Sequence, residues 1–321
     1  MWRAIYQRLY ESGWLSGASF SLLLLAEVAL IGCGSDSSSQ EADTPTSGRV
    51  RVAADVSLKP ALDALVEQFH RTYPKAHVEI VYTSEAEAIA GLLADSFRVV
   101  IVPRTYTPED SLALVEQKIR PKKTRLVREG IAVIGFPGRK DSTLQLDTLI
   151  AWLRNPACPY TFVIEGGGGS GILRYLRDSL LGGELPRARL YRADSAPSVI
   201  SYVQANPRAI GLIGAAWVCD REDSTTQKFL KTVRLFALSG RKEQAYYYPY
   251  AGYLRPGYYP LSRDVYALSR EPRMGLGSGF ISFAAGPEGQ RILLKSELLP
   301  AIAPVRVVEI KEEPLQIERG Q

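Results

Sequence analysis

Residues 49–82 read RVRVAADVSLKPALDALVEQFHRTYPKAHVEIVY, and this stretch decides the fold class. Its first six residues alternate as a half-buried strand does. Ser57 then stands where a helix cap belongs, and Pro60 falls in the first turn. Leu62, Leu65, Val66 and Phe69 share one face of a helix that runs to Tyr73, and Pro74 stops it. Residues 77–82 alternate again. Strand, helix, strand argues for α/β layers with largely parallel sheets.

The theme continues downstream. Residues 85–95 form a short helix, and VVIV (99–102) is apolar throughout, as a strand buried on both faces is. Thr107 caps a further helix with Pro108 in its first turn. Strands are expected at 130–136, 160–165, 209–214 and 232–238, with helices at 171–181 and near 197–205. No short-period repeat is present. A content of 46% hydrophobic and 23% charged residues is ordinary globular composition, enough for one large domain or two smaller ones. The net charge of +5 is modest and diffuse. It suits an anionic small ligand or an anionic membrane surface. Without a basic block carrying interleaved aromatics, it gives no case for nucleic acid.

The start of the chain does not read as fold. Arg3 and Arg8 precede a short apolar run that ends in small residues, a secretory leader pattern interrupted by Glu27. Leu30-Ile31-Gly32-Cys33 resembles the lipobox of bacterial lipoproteins, which implies lipidation at Cys33; a plain leader with a chance cysteine is the alternative. Residues 34–48, rich in Ser, Asp, Thr and Pro, read as a flexible tether. Cys158 and Cys219 lie in no metal-binding spacing, and either a pair or two thiols fits the pattern. Residues 246–259 hold seven tyrosines, which read as packing or as the lining of a cleft.

The second pointed stretch is VIEGGGGSGILRYLRDSLLGG, residues 163–183. A nucleotide phosphate loop needs Lys after its last glycine, and Ile172 follows Gly171 here. A nucleophile elbow needs a glycine where Ile172 stands. A serine nucleophile also needs a base, and His70 and His77 are the only histidines. The glycine spacing of a dinucleotide fingerprint is absent. A loop that follows a strand and opens a helix still offers unpaired N–H groups and the Ser170 hydroxyl to an anion. A capped helix start after a mobile loop is the other reading.

Five segments in order resemble one family, the phosphate-binding proteins of bacterial ABC importers, two-lobed receptors of the periplasmic type. Residues 50–82 resemble its opening strand, ligand turn, helix and second strand. Residues 98–110 (RVVIVPRTYTPED) resemble its third strand and the helix start after it. Residues 168–176 (GGSGILRYL) stand where the family has Ser-Gly-Thr. Residues 258–268 (YYPLSRDVYAL) resemble its Tyr-Pro-Leu-x-Arg segment. Residues 277–301 (GSGFISFAAGPEGQRILLKSELLPA) resemble its closing helix.

The resemblance implies the type 2 fold: two α/β lobes with a ligand cleft between them. Residues 49–130 and 241–321 would form lobe 1 and residues 131–240 lobe 2. It implies ligand contacts from Ser57, Ser84, Arg104, Ser170, Gly171 and the position of Ile172, with Gly169 and Arg98 as further candidates. Four positions depart from the family. Ile172 replaces its Thr, Gly166 its Arg, and the first turn lacks its Gly-Ser. Arg98 stands where the family carries the carboxylate that accepts the proton of hydrogen phosphate. Either Arg98 reverses that preference, or it points to solvent ahead of its strand.

The expectation is a monomeric, non-enzymatic receptor without cofactor or metal. It would be lipid-anchored on the periplasmic side of a membrane and would bind phosphate or a related oxyanion for an ABC importer permease. The alternative is a receptor fold reused as an envelope sensor or interaction lipoprotein with a degenerate anion pocket. A hydrolase built on Ser170 is the third and weakest reading.

Overall fold

The computed structural model describes residues 43–302, apart from 221, 241–244 and 256. The leader, Cys33 and the tether up to residue 42 lie outside the described residues, as does 303–321. Among the described residues no helix is long and apolar enough to cross a membrane.

The chain opens on β1 (Gly48–Asp55), a 3-10 turn (Val56–Leu58), α1 (Lys59–Thr72) and β2 (Ala76–Thr83). The helix starts one residue later than Ser57 capping would place it. The Ser57 N–H and hydroxyl both donate to Asp55 Oδ1, so the 3-10 turn closes first. Helix α2 (Glu85–Leu93) is capped by Ser84 and α3 (Pro108–Glu116) by Thr107, each through a reciprocal capping box. Between them lies β3 (Val99–Val102), wholly buried as its composition requires. Residues 43–47, expected as the end of the tether, are instead tied down. Asp43 accepts the Leu276 N–H and pairs with Arg98 at 2.8 Å.

Strand β4 (Lys122–Gly135) then runs for 14 residues, far beyond the seven expected at 130–136. Its polar first half conceals it from periodicity. Next come β5 (Thr143–Gln145), α4 (Leu146–Arg154), β6 (Thr161–Glu165) and α5 (Gly171–Tyr175), which continues as a π turn over Leu176–Leu180. They are followed by β7 (Leu190–Ala193), α6 (Ala196–Ala205), β8 (Ala209–Gly214), α7 (Ala216–Cys219) and α8 (Ser224–Thr232). The strand expected at 232–238 is split into β9 (Arg234–Leu235) and β10 (Ala237–Ser239). The chain ends with α9 (Ala251–Leu254), β11 (Ser262–Ser269), α10 (Leu276–Ala285), α11 (Pro287–Lys295) and β12 (Leu299–Pro300).

One sheet holds the order β2-β1-β3-β11-β4-β8-β6-β7, with β9 and β12 also paired to β4. The first half of β4 pairs with β11 and β12, and its second half with β8 and β9. The apolar cores divide at the same point. Val52, Leu65, Phe69, Ile101, Val127, Val265 and Phe280 belong to one cluster. Ile131, Phe162, Leu176, Leu212 and Tyr259 belong to another, flanked by a third around Ile134, Val199 and Ile213. Leu254, Tyr259 and Leu261 pack in the second group, although 241–261 was expected in lobe 1. Tyr259 is anchored there by its hydroxyl, which donates to the Ile131 carbonyl at 2.6 Å. Tyr247 and Tyr258 stack at 5.0 Å, so the tyrosine run includes aromatic packing.

A register shift between β4 and β11 leaves Leu126 as an extra residue, a β-bulge. Leu126 and Val127 are therefore both buried, although neighbours in a regular strand face opposite ways. The bulge also turns Arg125 and Arg128 to one side, where Asp264 lies 3.8 and 2.8 Å from them. Neither Cys158 nor Cys219 forms a disulfide.

Candidate functional site

In open α/β sheets the crevice beyond the carboxyl ends of the strands is where ligands bind. Here β1 ends on Asp55, β6 on Glu165 and β8 on Gly214. Into the same region come Glu85 from the first turn of α2, Glu129 from the middle of β4, and Arg263 from the start of β11. Asp55, Glu85, Glu129, Glu165 and Arg263 are each at most 5% exposed.

A hydrogen-bonded chain joins most of them. Arg263 Nε donates to Glu129 Oε2 at 3.0 Å, and its Nη2 to Ser57 Oγ at 2.8 Å. Ser57 Oγ in turn donates to Asp55 Oδ1 at 2.6 Å. Glu165 Oε1 accepts the Gly214 N–H. The chain is incomplete, because Asp55 Oδ2, Glu129 Oε1, Glu165 Oε2 and Arg263 Nη1 are buried without a hydrogen-bond partner. Such groups are costly unless something else serves them. Gly171 lies against two of these atoms. A β-carbon there would stand 3.0 Å from Asp55 Oδ2, 3.1 Å from Arg263 Nη1 and 2.7 Å from Glu85 Oε2. Only a glycine lets the helix start approach so closely.

Burial pushes the Glu129 carboxyl up, and the neighbouring Arg263 charge pulls it only partly back. Burial likewise pushes Glu165 well above the usual carboxylate range; the Gly214 N–H opposes this, and the Asp55 charge adds to it. For Arg263 burial works against the charge, but Glu129 and Asp55 outweigh it and hold the guanidinium protonated. The site therefore holds one buried permanent cation among carboxyl groups, two of which resist ionisation. A raised carboxyl favours folding below its unfolded value and loses that contribution as pH climbs through its folded value. Glu165→Gln keeps an acceptor for Gly214 and cannot ionise. Its melting temperature is expected to gain on the parent between pH 5 and pH 8; a gain in the opposite direction would contradict the raised carboxyl.

The structure brings five of the expected residues together. Ser57 and Gly171 touch the cluster as described, and Gly169 packs on Ser84. Ser170 lies between them, but its hydroxyl is committed: it donates to the Glu165 carbonyl and caps α5 through Leu173 N–H. Arg104 stands at the edge of the cluster: its Nε is 3.7 Å from Glu85 Oε1, while its Nη1 is held outside the cluster by Asp110 Oδ2 at 2.6 Å. Ile172 faces the second-half core, 1% exposed. Arg98 meets Asp43, and its side chain is 53% exposed, so it does not occupy the cluster. Gly166, where an arginine was expected, has φ +92°, a region that residues with a β-carbon avoid. The guanidinium at the loop comes instead from Arg174 on α5, which pairs with Glu85. Beside the loop a cavity of about 260 Å³ opens between Tyr82, Thr83 and Ser84 and residues 166–168 with Asp194.

Asp55, Glu85, Glu129, Glu165, Arg174 and Arg263 were not among the expected site residues. Arg263 lies in the recognised YYPLSRDVYAL segment. It shares its side of β11 with Val265 and Ala267, and Glu129 shares its side of β4 with Val127 and Ile131. A charge in the apolar phase of a strand is the signal that marks both.

Comparison with known proteins agrees with this geometry. Solved structures of other proteins share the fold, three of them as follows. One is a putative phosphate ABC transporter substrate-binding protein with bound phosphate from Clostridium perfringens; it is 20% identical, covers 79% of this chain and 100% of its own, and has a TM-score of 0.65. An ABC-type phosphate transport receptor from Vibrio cholerae is 16% identical over 79% of this chain and 100% of its own, with a TM-score of 0.57. A possible phosphate binding protein from Planctomyces limnophilus is 15% identical over 79% and 93%, with a TM-score of 0.52. At these identities the likeness is one of fold. No curated protein matches the sequence. The model of the PBP superfamily domain matches residues 39–288, most of the chain. With the two-lobed α/β architecture and its cleft at the strand ends, this match shows that the chain belongs to the PBP superfamily.

Proposed function

We propose that this chain is an extracytoplasmic solute receptor that takes phosphate in a protonated form and delivers it to an ABC importer. One observation carries the reading: Arg263 Nη1 and Asp55 Oδ2, both buried and unpartnered, converge beside Gly171. A guanidinium answers the charge of an oxyanion, and a carboxylate can accept only from a ligand that still bears a proton. Hydrogen phosphate has both features. Sulfate at neutral pH has no proton to give, and its charge opposes Asp55. Asp55 on β1 thus supplies the proton-accepting carboxylate that the family resemblance would put at position 98. The likeness to phosphate receptors supports the same class of solute.

Lobe 1 is read as 43–129 with 262–302, and lobe 2 as 130–261, following the apolar clusters. Lipidation at Cys33 would hold the receptor at the membrane as a monomer, and its function is binding rather than catalysis. Calorimetry on the leaderless chain is expected to show heat with phosphate and at least tenfold weaker binding of sulfate. Asp55→Asn is expected to narrow that gap, because the like charge is gone. No heat with either anion would overturn the phosphate reading.

A second reading has its own observation. The guanidinium groups of Arg174, Arg104 and Arg263 all lie against the protein's own carboxylates. A cleft so neutralised suits an envelope sensor or interaction lipoprotein with a retired pocket. Capture of an envelope protein without phosphate, together with no heat from any oxyanion, would favour it.

A further inference from the structure

Glu85 is the first residue of α2, where an acid is ordinarily welcome at the helix dipole. Its side chain does more than that. Arg174 grips it in a two-pronged pair, Nε to Oε1 and Nη2 to Oε2, the latter at 3.0 Å. Arg174 Nη2 also donates to the Pro103 carbonyl at 2.9 Å, and Arg104 Nε stands 3.7 Å from Oε1. Glu85 Oε2 lies at the point beside Gly171 where Asp55 Oδ2 and Arg263 Nη1 also converge. The carboxylate is 3% exposed. Arginine forks held to a desolvated two-oxygen anion are how proteins bind such ligands.

Resting on the proposed phosphate function, we propose that Glu85 is a built-in competitor for the solute. It fills the anion cradle of the empty receptor and latches the lobes shut until an oxyanion displaces it. The pair joins the two halves, since Glu85 follows β2 and Arg174 follows β6. Opening the cleft must therefore break it. A tethered carboxylate acts at high effective concentration, so any solute meets competition before it binds. The apparent affinity falls by the fraction of time the cradle is free. The device also selects. A monocarboxylate offers Arg174 no more than Glu85 already does, whereas a tetrahedral oxyanion brings more charge to the arginines and a proton to Asp55.

The test uses Glu85→Gln and Arg174→Gln in the leaderless chain, read by small-angle scattering without ligand and by calorimetry with inorganic phosphate. Both variants are expected to increase the radius of gyration of the ligand-free protein, because each removes the latch. Only Glu85→Gln is expected to bind phosphate more tightly, by about tenfold or more, since it frees Arg174; Arg174→Gln is expected to bind more weakly than the parent. Unchanged scattering in both variants would overturn the latch, whatever phosphate does. Opening in both, with no heat from phosphate in either, would keep the latch and remove the phosphate reading. Equal or weaker phosphate binding by Glu85→Gln, with the parent still binding, would overturn the competition and leave the receptor function standing.

Discussion

Arg263→Met is expected to destabilise the protein by roughly 3–5 kcal/mol, the cost of leaving a buried charge without its partner. For a chain of this size that lowers the melting temperature by on the order of 10 °C. The reason is Glu129, which is 0% exposed and whose Oε2 receives Arg263 at 2.9 Å. Removing the guanidinium also strips a donor from Ser57 Oγ. The deficit is expected to shrink at pH 5 relative to pH 8. Glu129 is already raised by burial, and without Arg263 it rises further, so acid neutralises the orphaned carboxyl. The double variant Arg263→Met with Glu129→Leu is expected to recover most of the loss, because an apolar pair replaces an ion pair without an orphan. A single variant as stable as the parent at pH 8, measured by calorimetry, would show that Glu129 does not depend on its partner.

Gly169→Val is expected to weaken phosphate binding by about a hundredfold, or roughly 2.8 kcal/mol. A β-carbon at 169 would stand 2.5 Å from Ser84 Oγ and 2.8 Å from Ala86 Cβ. Ala86 cannot swing aside, so the loop must withdraw from α2 and the cleft must stay wider. An anion in a wetter cleft gains less from each donor. The melting temperature is expected to change little, because residue 169 belongs to neither half's apolar core. Binding unchanged within a factor of three would show that the apposition of loop and helix is irrelevant to the solute.

Much of the fold is legible in residues 49–82, where strand alternation and a one-faced helix leave little choice. The capping boxes at Thr107 and Ser84 are local chemistry; the first is read from the sequence as a cap, while Ser84 enters there only as a ligand contact. Strand β4 was not, because its first half is rich in Lys and Arg and its burial comes from distant partners β11 and β12. The site shows the same division. Ser57, Ser84, Gly169, Ser170 and Gly171 lie in turns whose composition announces them. Asp55, Glu129, Glu165 and Arg263 lie in or at the ends of strands, and their roles depend on what the sheet places opposite. Arg263 and Glu129 are 134 positions apart. For Arg98 the sequence leaves two readings open, and the side chain, half-exposed and paired with Asp43, fits the solvent-facing one.

The long strand β4 also dictates an order of events in folding. The middle of the chain, 130–261, is continuous and closes its own core. The outer half needs β11 beside β4 and Phe280 against Phe69 before its core exists. Those contacts span more than a hundred residues, and contacts of such separation form late. The beginning of the chain must therefore wait for its end. Until residue 280 has emerged, α1 and α2 cover β1 to β3 without β11 and α10, and the apolar surface those late elements would bury is what a chaperone would meet first.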